Sequence, residues 1–214
     1  EQVMAYILYF ARRVDLQSAD MHDHCWNSRL MPGAKNHTLG LVGFGGIGTE
    51  VAKRAVPFGM KVIYFCRHPN PVDDAAYGVQ SVSMEELLKE SDYVVAAVPL
   101  TDQTFHLFNE ERIAQMKAGS VLINIARGPV VDEEALAQAL ASGHLGGCAV
   151  DVFPKEPCTN SVLTRYANAL LTPHSATSTA ENSKATNFAA ANNLVNYLKK
   201  DIDAKYVVVQ GTRY

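Results

Sequence analysis

The chain has 214 residues, 48% of them apolar, which is enough to bury one sizeable core. Its 19 basic and 22 acidic side chains give a formal net charge of −3, so no basic surface is on offer to nucleic acid or to an anionic membrane. Four cysteines (Cys25, Cys66, Cys148, Cys158) make no C-x-x-C pair, which points to reduced thiols and a cytoplasmic setting.

Residues 1–13 predict a helix with Met4, Ile7, Leu8 and Ala11 on one face. Its basic residues follow the apolar run, the wrong order for a signal peptide, and no stretch reaches the ~18 apolar residues of a bilayer span. The chain begins at Glu1 without a methionine, so a fragment of a longer protein is the expectation. Residues 14–37 read as a polar arm carrying the only tryptophan, Trp26. The run His22-Asp23-His24-Cys25 has metal-ligand residue types, but no second cluster stands at ligand spacing. It reads as a polar loop, and no metal is expected.

Leu39–Gly48 (LGLVGFGGIG) is an apolar run that breaks into glycines and continues into helical spacing at Val51, Ala52, Ala55 and Val56. This is strand, tight turn, helix, and it satisfies G-x-G-x-x-G at Gly43, Gly45 and Gly48. A helix starting at Gly46–Ile47 would aim free N–H groups and a positive dipole end at a pyrophosphate. Gly59 ends this helix, and Lys61–Phe65 is a second strand. Pro69-Asn70-Pro71 reads as a loop, Met84–Lys89 as a short helix capped by Ser83, and Asp92–Pro99 as a buried strand. Helical pieces follow near Thr104–Phe108 and Asn109–Met116, then a strand at Ser120–Ile125. Asp132 caps an amphipathic helix, Glu133–Ala141, which Gly143 stops. Gly147–Val152 and Ala169–Leu171 read as strands, and Ser175–Lys200 as a region holding a long last helix. Short apolar strands alternating with helices, and no hairpin signals, predict an α/β fold: a doubly wound parallel sheet of Rossmann type with helices on both faces.

The end of the second strand bears on the choice of dinucleotide. An acidic residue there accepts hydrogen bonds from the adenosine ribose of NAD. Here the place falls at Cys66, followed by Arg67 and His68, with no carboxylate. Arg67 can make charge-assisted bonds to a 2′-phosphate, which favours NADP(H). The alternative is that Arg67 only stacks on adenine and NAD is used.

Three further stretches follow strands, where open α/β sheets bind ligands. They are Asn124–Gly128 (NIARG), Asp151–Pro157 (DVFPKEP) and Leu171–Ala176 (LTPHSA). An arginine suits bidentate grip of a carboxylate, a histidine can exchange the proton of a carbonyl/alcohol pair, and a nearby glutamate fixes the ring's tautomer and favours imidazolium. Arg127, Glu156 and His174 can thus meet in one crevice.

GFGGIG, VPLT (Val98–Thr101), NIARGPVVDEEAL, DVFPKEP and LTPHSA, in this order, resemble the D-isomer-specific 2-hydroxyacid dehydrogenases, and the resemblance covers nearly the whole chain. It implies that Arg127 binds the substrate, that His174 is the acid/base for the 2-keto oxygen, and that Glu156 pairs with that histidine. It implies that Asp151 contacts the nicotinamide carboxamide, that Val98, Pro99 and Thr104 line the cofactor, and that Gly45, Gly46 and Ile47 turn around the pyrophosphate. Ala126 and Ala176 fall among the cofactor contacts. Ser175 stands where the family often has an apolar residue.

The resemblance further implies three parts. Residues 1–35 would be an interdomain helix and dimerisation arm, 36–180 the dinucleotide domain, and 181–214 a helix and tail returning toward a substrate domain largely absent from this chain. A small 2-keto or 2-hydroxy acid substrate and a homodimer follow. The alternatives on the same scaffold are a corepressor-like, cofactor-gated binding protein and a formate- or phosphite-type dehydrogenase.

Overall fold

The computed structural model describes residues 1–69, 71–201, 203 and 206. The chain divides into two units, Glu1–Ala176 and Thr177–Tyr214. The first holds one seven-stranded sheet, with strands β1 (Thr38–Val42), β2 (Lys61–Phe65), β3 (Gln80–Ser81), β4 (Tyr93–Ala96), β5 (Val121–Asn124), β6 (Gly147–Val150) and β7 (Ala169–Leu171). Every pairing is parallel and the order is β3-β2-β1-β4-β5-β6-β7. The order reverses between β1 and β4, and such a switch point opens a crevice at the carboxyl ends of the strands.

The sheet is buried on both faces, which is why its strands read as continuous apolar runs. Successive side chains alternate between two cores. Leu39 and Leu41 of β1, Tyr93 and Val95 of β4 and Ile123 of β5 pack with Val3, Met4, Tyr6 and Ile7 of helix α1 (Gln2–Arg12) and with Val51, Ala52 and Ala55 of α3 (Gly46–Ala55). Val42, Val94, Leu122 and Val150 face the other way. They meet Leu87 and Leu88 of α5 (Met84–Glu90), Ile113 of α6 (Glu110–Ala114), and Leu136 and Leu140 of α7 (Glu133–Ala141). Cys148 lies in this second core, where burial pushes its thiol up to about 12 and leaves it unreactive.

Caps form where the sequence places them. Ser83 Oγ accepts the N–H of Glu86 at 3.1 Å, and Asp132 Oδ1 accepts those of Glu134 and Ala135 at 3.1 and 3.2 Å. Other elements differ from expectation. The polar arm contains a helix, α2 (Val14–His22), none of whose residues is buried, so it leaves no apolar periodicity to read. The loop reading after Pro69 misses α4 (Pro71–Tyr77), which starts on a proline suited to a first helical turn. Thr104–Phe108 is a turn: Thr104 Oγ1 bonds the Pro99 carbonyl at 2.6 Å, and His106 adopts φ 46°, which no α-helix continues. The last helix, α8 (Ala180–Leu198), starts later than Ser175 because the Ser175 and Ala176 amides donate to Asp151.

In the second unit Thr179 caps α8, its Oγ1 accepting the Asn182 N–H at 3.1 Å, and no residue of that helix is buried. The tail at 204–210, read as returning toward another domain, lies outside the described residues apart from Tyr206. Among the described residues no helix is long and apolar enough to cross a membrane.

Candidate active site

Six loops lie at the carboxyl edge of the sheet, each following a strand. The first is the glycine turn between β1 and α3. Gly43 has φ +103°, and a Cβ built there would lie 2.4 Å from the Ala97 carbonyl oxygen. A Cβ on Gly48 would lie 2.4 Å from the Gly43 carbonyl oxygen, so helix and strand pack too closely for any side chain. The fold itself therefore demands glycine at 43 and 48. Gly45 and Gly46 differ: a Cβ on either meets nothing within 4 Å. Gly45 caps α3 and lines an open cleft, so the space it leaves free is a cradle for a group that approaches the backbone at a helix N-terminus.

That cleft has a volume of about 490 Å³ and runs from Gly43–Gly45 past Cys66, Arg67 and His68 to Val98, Pro99, Gln103 and Thr104. Cys66 is half-buried and Arg67 exposed, with Arg67 Nη1 at 3.5 Å from Gln103 Oε1. A second hollow of about 220 Å³ shares Val98 and Pro99 with the first and is lined also by Ile47, Ala97, Ile125, Ala126 and Arg127. Two hollows on either side of one Val-Pro wall suit a long ligand with two ends. Thr104, expected as a lining residue, also ties its loop together, since Oγ1 accepts the Thr101 N–H at 2.7 Å.

The loop after β5 is set by Asn124, which sequence reasoning passed over. It is 1% exposed; its Oδ1 accepts the Ala126 N–H and its Nδ2 donates to the Arg127 carbonyl, each at 3.1 Å. The only signal available was an Asn directly after a strand, a residue type that folds the backbone back on its side chain. Arg127 is exposed, with Nη1 donating to its neighbour's carbonyl, Ala126 O, at 2.7 Å. Gly128 lets this loop touch the one after β6, because a Cβ there would lie 2.0 Å from the Phe153 carbonyl carbon.

Glu156 and His174 are brought together. His174 Nδ1 lies 2.7 Å from Glu156 Oε2, while Glu156 Oε1 accepts the Phe153 N–H at 2.9 Å. The His174 hydrogen bond, then the Phe153 amide, and more weakly the nearby charges of His174 and Arg127, hold the Glu156 carboxyl below its ordinary range. A carboxylate cannot donate, so the hydrogen of this bond sits on Nδ1, and Nε2 is the nitrogen left to exchange a proton with a ligand. Arg127, Glu156 and His174 thus form one group, electrostatically coupled and open to solvent.

Asp151 and Ala176 occupy the floor beneath His174. Asp151 is 1% exposed and its carboxylate is engaged by three donors: the Thr172 hydroxyl at 2.5 Å, and the Ser175 and Ala176 amides at 2.8 and 2.9 Å. Any carboxamide contact at Asp151 would have to use a remaining lone pair. The His22–Cys25 run forms no metal site, and among the described residues no group of three His, Cys, Asp or Glu is placed to hold an ion.

The two kinds of glycine separate in experiment. Gly48→Ala should lower unfolding stability by about 2 kcal/mol, since its Cβ is forced against backbone. Gly45→Ala should cost about 1 kcal/mol or less, yet weaken dinucleotide binding roughly ten-fold or more, about 1.4 kcal/mol. Urea unfolding and cofactor titration of both variants check this, and equal losses of stability would refute it.

Comparison with known proteins places this geometry. Residues 4–176 match the family model for the D-isomer specific 2-hydroxyacid dehydrogenase NAD binding domain. A glyoxylate reductase of Thermococcus litoralis is 42% identical over 212 residues, covering 95% of this chain and 64% of that one. A D-lactate dehydrogenase from Aquifex aeolicus, solved with NAD and lactic acid, superposes with a TM-score of 0.85 at 32% identity. The match covers 92% of this chain and 65% of that one. An NAD-dependent formate dehydrogenase from Staphylococcus aureus, solved with NAD, gives 0.86 at 27% identity, over 98% of this chain and 65% of that one. The chain thus spans less than two thirds of the length of these relatives. A seven-stranded parallel sheet, a glycine cradle at its switch point and a family match over most of its length place this chain among the D-isomer-specific 2-hydroxyacid dehydrogenases, as their NAD-binding domain.

Proposed function

We propose that this chain is the cofactor-binding part of a reductase that interconverts a small 2-keto acid and its D-2-hydroxy acid, with glyoxylate the first substrate to test. The observation that carries the reading is the 2.7 Å bond between His174 Nδ1 and Glu156 Oε2, coupled to Arg127, which itself lines the hollow that shares a wall with the glycine-lined cleft. The glyoxylate reductase relative supports the choice of substrate class. When bound, a nicotinamide supplies the hydride.

Each of the chain's own residues then has a role. The turn at Gly45, Gly46 and Ile47 receives the pyrophosphate at the start of α3. Val98, Pro99 and Ala126 wall the hollow beyond it. Arg127 grips the substrate carboxylate and orients the keto group. His174 gives its Nε2 proton to the keto oxygen as the carbon is reduced, and Glu156 stabilises the imidazolium before transfer and holds the ring afterwards. The carbon gains the hydride, the oxygen gains the proton, and His174 is recharged from solvent. Water must be kept from this open edge for efficient turnover, so the chain alone should bind dinucleotide and turn over slowly.

Arg67 lines the cleft with no carboxylate at Cys66 beside it, and a guanidinium there can pair with a 2′-phosphate, which supports NADP(H) over NAD(H). The chain should bind NADPH more tightly than NADH in a fluorescence titration. Arg67→Ala should remove most of that difference, about ten-fold, in line with a charge-assisted bond of about 1.5–3 kcal/mol. A clear NADH preference in the unaltered chain would overturn this reading. Failure to bind either dinucleotide, or to reduce glyoxylate or hydroxypyruvate at any rate, would overturn the enzyme reading.

The arm supports a homodimer. Trp26 is 88% and Leu30 101% exposed, with Val14 and Met21 also open to solvent. Light scattering at micromolar concentration should give twice the chain mass, and Trp26→Ala should shift it toward the monomer.

Protonation fixes a pH dependence. Keto reduction needs the His174 proton, and the anionic Glu156 favours the protonated ring. Glu156 keeps its charge as pH falls well into the acid range, because its carboxyl is held low. As pH falls, the rate of reduction should hold until Glu156 protonates, below the ordinary carboxylate range, and Glu156→Gln should be slower and lack that acid limb. A pH–rate profile with the same acid limb in both proteins would contradict the pairing.

A further inference from the structure

Helix α1 reaches the His174 segment through hydroxyl groups. Its inward residues Val3, Met4, Ile7 and Ala11 are apolar, but Tyr6, at 1% exposure, brings a phenol into the core. A buried hydroxyl without a partner costs about 1–3 kcal/mol, so the packing must provide one. Tyr6 bonds Thr172 Oγ1. Thr172 Oγ1 in turn donates to Asp151 Oδ1 at 2.5 Å. Burial raises the Tyr6 pKa, which keeps the phenol protonated and a donor throughout the neutral range. The direction of the chain follows: Tyr6 donates to Thr172, and Thr172 donates to the carboxylate.

The segment above this chain carries an unusual conformation. His174 adopts φ 50°, a left-handed conformation that costs a residue with a Cβ about 1–2 kcal/mol. Most of the bonds that hold it run to Asp151. The His174 N–H is shared between the Asp151 carbonyl at 2.7 Å and the Thr172 carbonyl at 3.0 Å, and the Ser175 and Ala176 amides donate to the two Asp151 carboxylate oxygens. The Thr172 N–H bonds the Val150 carbonyl at 3.0 Å. A buried carboxylate is stable only while its donors are in place, and a shift of its position would move every amide it accepts.

We propose that Tyr6 and Thr172 are positioning residues for His174: a part-buried hydroxyl chain from Tyr6 through Thr172 to Asp151 fixes the backbone segment that carries the imidazole. The catalytic consequence rests on the acid/base reading of His174, whereas the structural claim stands apart from it. It also ties α1 to the site, so a change in how that helix sits would be felt at His174 through the Tyr6 hydroxyl.

Amide hydrogen exchange in the 214-residue chain tests the structural claim. Tyr6→Phe removes one oxygen and keeps the ring. Thr172→Val keeps the shape and removes the hydroxyl, and Thr172→Ser keeps the hydroxyl. Tyr6→Phe and Thr172→Val should speed exchange at Ser175 and Ala176 by roughly three- to ten-fold, the loss expected for one hydrogen bond. Thr172→Ser should restore the slow rate, and Leu122 and Ile123 in β5 should not change. Unchanged exchange at Ser175 and Ala176 in both deletion variants would overturn the proposal. If Tyr6→Phe loosens β5 as well, the Thr172→Val and Thr172→Ser pair decides. With NADPH and glyoxylate, both deletions should lower kcat about ten-fold at unchanged NADPH affinity, with recovery in Thr172→Ser. Faster exchange in a chain whose unaltered form reduces no keto acid would leave the positioning in place and remove the acid/base reading instead.

Discussion

Parallel strand pairing is the constraint from which this site follows. Because every strand runs the same way, each delivers its carboxyl end to one edge, and each following loop starts there. The reversal of strand order between β1 and β4 parts the helices on the two faces and leaves a crevice between the loops after them. The sequence then needs only short, stiff loops of the right chemistry after β1, β2, β4, β5, β6 and β7. Residues as far apart as Gly45, Arg127 and His174 become neighbours on that edge because the sheet is parallel, not because any one contact draws them together.

Within that frame the site is graded from rigid to open. The floor is buried and hydrogen-bonded: Asn124 and Asp151 are each 1% exposed and turn polar atoms to the loops above them. The working groups above are exposed, as reacting groups must be before a ligand arrives, and the 2.7 Å bond to Glu156 restrains the one ring among them. Glu156 stays ionised because the His174 bond and the Phe153 amide both favour its charged form.

The fold was readable in the sequence to the extent that burial leaves a pattern. Six strands are apolar runs, and the caps at Ser83 and Asp132 are marked by residue type, so these elements fall where the sequence puts them, whereas β3, two polar residues at the sheet edge, left no such run and was missed. Helix α2 buries nothing and α4 starts within a proline-rich run, and neither leaves an apolar stripe to detect. For the site, the exposed residues were found through their motifs, whereas the supports were not. Asn124 acts on residues two and three positions on, a local turn that only its residue type hints at, whereas Tyr6 and Thr172 act through bonds 166 and 21 positions away, which no spacing rule reports. The difference between Gly45 and Gly48 was likewise hidden, since both satisfy the same fingerprint and only the packing shows which one the fold itself requires.

One dinucleotide is proposed to lie along the carboxyl edge, its pyrophosphate at the start of α3 and its reactive ring beside His174. Chemical-shift mapping of the isotope-labelled chain on addition of NADPH distinguishes this placement from others. The largest changes should fall at Gly45, Gly46 and Ile47, with further changes at Arg67, Ala126, Arg127 and His174, and none at the far ends of β5 and β6. Binding that perturbs Gly45–Ile47 but leaves Arg127 and His174 untouched would separate the cofactor cleft from the proposed chemistry. Binding that leaves Gly45–Ile47 unperturbed would contradict the account outright.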